Sequence, residues 1–394
     1  MNNVKTGLEQ FIKSPPKWIK NSNLGLLCNP ASIDSQFNHA RDLINKHFPG
    51  QLKALYSPQH GFFAEKQDNM IESSHILDPV LNIPVFSLYG KTRKPTKEML
   101  DPVDILIIDL QDAGTRVYTF IYTMSYCLEA AKKFNKKIII LDRPNPINGL
   151  QVEGNCLCLS MKSFVGRFPI PMRYGLTIGE LARLFNDVYG IGCDLHVIPM
   201  CQWKRSMYFN NTGLPWIPPS PNLPSPVSAI VYPGQVIWEG TNISEARGTT
   251  QPFEVFGAPF IDTREIIKQL GTEYLQNTKS GIVLRPVIFE PSSNKWQGKP
   301  CKGFQIHVID PEKYKPYITS LRLVQAVINL YKNDFKWKNP PYEYEFKKMP
   351  IDLIIGDKLI RQRLESGDNI NDIEGSWQDE LNKYIKLISR FYLY

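Results

Sequence analysis

Four consecutive long apolar residues, Ile105-Leu106-Ile107-Ile108, constrain this chain more than any other stretch. A strand with no polar position has no face to offer water, so it needs cover on both sides, as the crossover helices of a parallel sheet supply. The surrounding sequence has the matching rhythm. Short apolar runs at Leu24–Cys28, Leu52–Tyr56, Pro84–Tyr89, Ile105–Leu110 and Lys137–Leu141 alternate with polar helical stretches such as Tyr118–Phe134. That alternation predicts an open, mostly parallel α/β sheet. A helix over Thr177–Tyr189 and a strand over Leu195–Met200 extend the same layer.

After Gly240 the pattern changes to a helix over Thr263–Leu275, strands over Ile282–Phe289 and Phe304–Ile309, and a helix over Ile318–Tyr331. A final amphipathic helix spans Trp377–Phe391, with Leu381, Tyr384, Ile385 and Ile388 on its apolar face. These features suit a second, smaller α+β domain, and 394 residues accommodate two domains naturally. The expected division is 1–232 and 233–394. Just before it lies Leu214–Val227, with prolines at 215, 218, 219, 221, 224 and 226, which reads as a fixed loop. It is either a linker or a rigid wall that presents Asn222.

Composition removes several classes of function. Lys and Arg outnumber Asp and Glu by 46 to 38, but they are scattered, so nucleic acid is not an expected partner. Seven cysteines, an odd number over a long chain, read as reduced thiols. Met1–Lys20 has no apolar core of signal-peptide length, and no later run approaches the ~18 apolar residues of a membrane helix. A soluble cytoplasmic protein is expected.

Cofactor signatures are missing: there is no G-x-G-x-x-G after the first strand and no phosphate-binding G-x-x-x-x-G-K-[ST]. No G-x-S-x-G elbow marks a serine nucleophile. Cys156, Cys158, Cys193 and Cys201 fit no common zinc spacing, so neither metal nor cofactor is expected. Polar residues gather instead where the strands end, and ligands of open α/β sheets bind beyond those ends. Asn29-Pro30, Ser57-Pro58-Gln59-His60-Gly61, Tyr89-Gly90, Asp109 to Gly114, and Asp142-Arg143-Pro144-Asn145-Pro146 can converge there, with Glu65 and Asp68 in the loop after His60. Paired carboxyl groups of this kind suit acid/base cleavage of a glycosidic bond, although a single strand-end aspartate often only caps the next helix. A second polar concentration, Glu239 to Thr250, has Ile243 as its one long apolar residue and reads as a ligand loop in which Arg247 can hold a carboxylate bidentately.

Four blocks taken together, Tyr118-Thr119-Phe120-Ile121-Tyr122-Thr123-Met124, Leu141-Asp142-Arg143-Pro144-Asn145-Pro146, Ser220-Pro221-Asn222-Leu223-Pro224 and Glu239-Gly240-Thr241-Asn242-Ile243-Ser244-Glu245, resemble the bacterial exo-β-N-acetylmuramidase family, formerly a domain of unknown function. The resemblance runs from about Leu24 to Tyr394. It implies a Rossmann-like N-terminal domain, an auxiliary C-terminal domain, and a shallow site between them. It also implies removal of terminal N-acetylmuramic acid from peptidoglycan fragments without metal or nucleotide. One position departs from the pattern. Where the family motif reads Pro-Glu-His-Gly, with the glutamate presumed to be the acid, this chain reads Pro58-Gln59-His60-Gly61. An amide cannot donate a proton as a general acid.

The resulting expectation gives the acid role to Glu65 or a strand-end aspartate, and Gln59 orients the sugar. His60 donates to the leaving oxygen or tunes a carboxyl group. Glu245 orients the 2-acetamido group or activates water, Asp112 holds hydroxyls, and Arg116 and Arg247 meet the lactyl carboxylate. Gln111, Asp142, Asn222 and Asn242 complete the polar lining. Tyr118 and Trp238 either stack on the sugar or belong to the core. Two other readings stay open: a muramyl-sugar-binding protein that has lost its acid, and an enzyme acting on a different sugar derivative.

Overall fold

The computed structural model describes residues 3–68, 70–271 and 280–394. Its first half is built on a seven-stranded sheet of β1 (Leu24–Cys28), β2 (Leu52–Ser57), β3 (Ile76–Leu77), β4 (Pro84–Ser87), β5 (Ile105–Asp109), β6 (Lys137–Leu141) and, after a small hairpin of β7 (Glu153–Cys156) and β8 (Pro171–Arg173), β9 (Asp194–Ile198). The spatial order is β3-β4-β2-β1-β5-β6-β9. All neighbours pair in parallel except β3, which runs antiparallel along the β4 edge. Without β3 and the hairpin, the order is that of a doubly wound dinucleotide-binding sheet, so the Rossmann-like expectation holds in topology. Every residue of β1 and β5 is buried, as their unbroken apolar sequence requires.

Helix Phe120–Phe134 follows β5, and helix Ile178–Asp187 precedes β9. The second begins with a capping box in which Thr177 and Glu180 satisfy each other's backbone N–H groups. The second half carries a three-stranded antiparallel sheet, ordered β10-β12-β11, of β10 (Val255–Ala258), β11 (Ile282–Phe289) and β12 (Cys301–Val308). Helices Thr263–Leu270 and Pro316–Leu330 pack with it, and three shorter helices lead to the last one, Gln378–Ile388. The expected helix over Thr263–Leu275 is therefore seen to Leu270, and its positions 272–275 lie outside the described residues.

One boundary differs from expectation. The proline-rich loop ends two residues early, because Ser225 caps a helix over Pro226–Gln235 with Pro226 in its first turn, where a missing N–H costs nothing. That helix runs straight through the expected division at 232/233. The core does not stop there either, since one apolar cluster continues from Ile108 through Tyr118 and Trp238 to Ile354. The chain end returns to the first sheet, where the Tyr394 hydroxyl donates to Asp142 at 2.8 Å. All seven cysteines are unpaired. Among the described residues no helix is long and apolar enough to cross a membrane, and no cluster of three or more His, Cys, Asp or Glu could hold a metal ion.

Candidate active site

A cleft opens at the carboxyl end of β2, with the start of helix Phe120–Phe134 on one side and the second half of the chain on the other. Gln59, His60, Asn222, Glu239, Arg247 and Glu343 bring its polar groups. A recess continues from it, sharing Glu239, Arg247 and Tyr342 and adding Asp68, Glu245, Lys295 and Lys338.

The loop after β2 turns sharply because His60 and Gly61 both have positive φ, +76° and +86°. His60 Nδ1 lies 2.6 Å from the Lys66 carbonyl oxygen. A carbonyl only accepts, so Nδ1 carries the hydrogen and Nε2 is left as an acceptor. Burial pushes the imidazole down to about 4, which keeps it neutral near pH 7. With Nδ1 committed to that carbonyl and the ring neutral, His60 has an acceptor at Nε2 and no N–H left to donate to a leaving oxygen. Beside it, Gln59 Oε1 accepts from Thr119 Oγ1 at 2.7 Å. Its amide N–H groups point at the Glu343 carboxyl group, 3.2 Å away, and the Tyr89 hydroxyl, 3.3 Å away.

Glu343 was not among the expected residues. It sits in a tight turn, Tyr342 to Glu345, closed by reciprocal backbone hydrogen bonds of 3.0 and 2.9 Å. Glu343 and Tyr344 both have positive φ, +46° and +65°. This is the type I′ geometry that Asn and Gly adopt easily, and each larger side chain there costs on the order of 1–3 kcal/mol. Packing holds the strained turn in place. Arg93 lies 3.8 Å over the Tyr344 ring, and the Tyr342 hydroxyl donates to Glu239 at 2.7 Å. The turn aims the Glu343 carboxyl inward, where Tyr89 also donates to it at 2.6 Å. Burial and the nearby Glu239 raise its pKa above the ordinary carboxyl range.

The expected ligand loop after Glu239 forms a buried charge network. Arg247 donates through Nη2 to Glu239 at 2.7 Å and pairs through Nε with Glu245 at 3.2 Å. The two carboxylates hold its pKa above the usual value despite burial. Among the described residues Nη1 finds no partner, which leaves Arg247 one uncommitted donor and not the pair that a bidentate grip needs. Glu245 also pairs with Lys295 at 2.7 Å. Burial opposes ionisation of Glu245, but the two cations outweigh it and hold the pKa below the usual value, so this group is no acid. Lys338 is exposed on the rim of the recess, and no described carboxylate pairs with it.

The structure draws other expected residues away from the cleft. Arg116 is fully buried and donates to the carbonyls of Asn155, Ile170, Ile354 and Ile355 at 2.5–3.1 Å, which makes it a brace between the halves and not a carboxylate binder. Asp142 accepts from Thr177 Oγ1 at 2.7 Å, Gly179 N at 2.8 Å and Tyr394, so it anchors the start of helix Ile178–Asp187. Burial and Glu180 push its carboxyl up to about 7. Asp112 is buried behind the cleft and accepts from Gly114 N at 2.7 Å and from the Tyr174 hydroxyl, while burial lifts it to about 7. Gln111 ties the Asp112 and Pro144 carbonyls together at 2.9 Å each. Asn242 clamps Asp334 and Lys336 backbone groups at 2.8 and 3.0 Å.

Glu65 is exposed and lies against the Gly61 backbone, so close that a Cβ there would meet its carboxyl oxygen at 2.6 Å. It does not line the cleft. Asp68 lines the recess and accepts from Asn294 at 2.8 Å. Asn222 does face the cleft and donates to the Gln67 carbonyl at 2.9 Å. Tyr118 lines the cleft wall, whereas Trp238 is core, stacked on Phe256 at 5.0 Å.

Sequence reasoning named the loop that holds Glu239 without selecting Glu239 itself, placed Tyr89-Gly90 at the sheet edge without giving Tyr89 a role, and passed over Lys338, Tyr342 and Glu343. The one sequence signal for the last two is the alternation Tyr342-Glu343-Tyr344-Glu345 after Pro340-Pro341. It has strand period but sits in no strand.

Known proteins match along the whole length. Residues 24–227 match the family model described as exo-β-N-acetylmuramidase NamZ, N-terminal, and residues 230–394 match the C-terminal one. The peptidoglycan β-N-acetylmuramidase NamZ of Bacillus subtilis is 40% identical over 391 residues, covering 99% of this chain and 91% of the relative. Two crystal structures of DUF1343 family proteins from Bacteroides fragilis share the fold, one at TM-score 0.88 and 35% identity, the other at 0.78 and 29%. Each pairing covers all of this chain and 99% of the other. The chain therefore belongs to the exo-β-N-acetylmuramidase NamZ family.

Proposed function

We propose that this protein is a metal-independent glycoside hydrolase that removes terminal N-acetylmuramic acid from peptidoglycan-derived fragments, with the sugar bound in the cleft between the parts 1–232 and 233–394. The observation that carries the reading is the pair of buried glutamates, Glu239 and Glu343, facing one cleft beside His60 and Arg247. Two carboxyl groups in different surroundings are what hydrolysis of a glycosidic bond requires. Glu239 is ion-paired to Arg247, whereas Glu343 has neutral hydrogen-bond partners.

Muramic acid differs from N-acetylglucosamine by its lactyl carboxylate, and the recess supplies positive charge for it. Among the described residues, Arg247 Nη1, which lacks a hydrogen-bond partner, and the exposed Lys338 on the rim are candidate donors. His60 Nε2 accepts from a ring hydroxyl, Gln59 and Asn222 border the same space, and Asp68 lines the recess. Seven cysteines without a disulfide support a reducing compartment, and so work in the cytoplasm on imported wall fragments.

The test is release of 4-nitrophenol from its β-N-acetylmuramide, with the β-N-acetylglucosaminide as control. Turnover of the first and not the second is expected. Tight binding of N-acetylmuramic acid without turnover would instead favour a binding protein, and turnover of the glucosaminide alone an enzyme for another sugar.

A further inference from the structure

Three glutamates reach the cleft and its recess, and two of them are held by cations: Glu239 by Arg247, and Glu245 by both Arg247 and Lys295. Gln59, at the carboxyl end of β2, offers only an amide. Among the described residues, Glu343 alone combines burial, contact with the cleft and hydrogen-bond partners that carry no charge. The strained Tyr342–Glu345 turn has one evident result, which is to deliver this carboxyl to a place opposite Gln59.

Resting on the glycosidase reading above, we propose that Glu343 is the general acid of this protein and that Gln59 and Tyr89 are its positioning residues, so the proton comes from the C-terminal half and not from the loop after β2. In the step, the Glu343 carboxyl group passes its proton to the glycosidic oxygen as the bond from that oxygen to the anomeric carbon breaks. The released sugar leaves as an alcohol and Glu343 is left as a carboxylate. Water then adds its oxygen to the anomeric carbon and gives its spare proton to the Glu239 carboxylate, which passes it on to the solvent, and Glu343 takes one up again. No other reactant is needed.

Gln59 matters here because of what it is not. Its amide nitrogen sits 3.2 Å from the Glu343 carboxyl oxygen, so a glutamate at 59 would place two carboxyl groups in direct contact, and such a pair shares one proton. With an amide in that position, Glu343 titrates without a like charge in direct contact. The titratable and charged groups around Glu343 are Tyr89 and Arg93 after β4, Tyr232 on helix Pro226–Gln235, Glu239, and Tyr342 and Tyr344 on its own turn. Burial and Glu239 favour the protonated form, while the Tyr89 hydrogen bond and Arg93 oppose it.

The experiment compares wild type, Glu343→Gln and Tyr89→Phe on two muramides. One has a dinitrophenyl leaving group that departs without a proton, and the other is the disaccharide with an N-acetylglucosamine leaving group. Glu343→Gln is expected to lose on the order of 10²–10⁴-fold in kcat on the disaccharide and far less on the dinitrophenyl substrate. Tyr89→Phe removes a donor that favours the ionised form, so the basic limb of its kcat profile moves to higher pH with the fold intact. Equal losses on both substrates in Glu343→Gln, or an unmoved basic limb in Tyr89→Phe, would overturn the assignment while leaving the glycosidase reading in place. A wild type inert on both muramides would overturn that reading and the acid with it.

Discussion

Asp109 and Glu343 are both buried carboxyl groups, and their surroundings give them opposite uses. Asp109 ends β5 and meets the Arg143 guanidinium bidentately at 2.5 and 2.8 Å, and Arg143 also donates to the Ile33 carbonyl. Asp142, at the end of β6, is likewise surrounded by donors from the helix it caps and from the chain end. Both close the sheet's edge. Glu343 arrives from the covering half on a strained turn, meets neutral donors and faces the cleft. In this molecule the sheet edge supplies walls, Gln59 and His60, while the glutamates facing the cleft come from the second half.

The sharpest way to break that contrast is to remove one carboxylate from each region and compare what is lost. Glu239→Gln should lower kcat on the muramide by on the order of 10²–10⁴-fold while the protein remains folded, because Arg247 keeps its second carboxylate, Glu245, whereas an amide at 239 no longer takes a proton from water. Steady-state kinetics beside a thermal melt decides it. A melt shifted as far as the activity would move Glu239 into the structural group.

Asp109→Asn should do the reverse. It leaves the Arg143 guanidinium buried beside an amide, and breaking a buried pair of this kind costs about 3–5 kcal/mol. The urea midpoint should fall, whereas kcat of the remaining folded protein should stay within a few-fold of wild type. A catalytic loss without destabilisation would return the acid/base work to the sheet edge.

A third test uses pH. Burial holds Asp112 at about 7, well above the ~4 of an unfolded aspartate. Between those values the folded protein keeps a proton that the unfolded chain has released. By linkage this contribution makes stability fall as pH rises from about 4 to about 7, and then level off. Asp112→Asn should flatten that slope, seen as a smaller difference between urea midpoints at pH 5 and pH 7.5. Asp142 and Glu153, also pushed up to about 7, keep part of it. An unchanged slope would mean that Asp112 is not a protonated structural carboxyl, and would bring it back into consideration for the cleft.

The contrast also explains what the sequence could reveal. Strands β1, β5 and β6 are legible because full burial demands unbroken apolar runs, and a run of that kind has few other uses. The sheet's carboxyl edge follows from the same rule, so Gln59, His60 and Asn222 could be placed near a cleft. Whether a strand-end aspartate faces ligand or arginine depends on a partner elsewhere in the chain, as Arg143 is for Asp109 and Thr177 for Asp142. No local pattern shows this. Arg116 is a similar case, since its partners at 155, 170, 354 and 355 are backbone carbonyls of distant segments. Glu343 was hidden for a different reason, because its turn uses Glu and Tyr where the backbone geometry would favour Asn and Gly.

The smallest effect is expected at Glu65, the residue to which the sequence pointed first for the acid. Its side chain is exposed and lies over the Gly61 backbone, outside the cleft, so Glu65→Gln should leave kcat and KM on the muramide within about two-fold and stability within ~0.5 kcal/mol. The measurement gains force beside Glu343→Gln on the disaccharide substrate. If Glu65→Gln were the inert one and Glu343→Gln the normal one, the loop after β2 would have to close over the sugar and carry Glu65 inward, and the division between a structural sheet edge and a catalytic second half would fail. If Glu65→Gln is silent, the position of Gln59 is explained by its contact with Glu343, and the loop serves to orient groups and not to donate the proton.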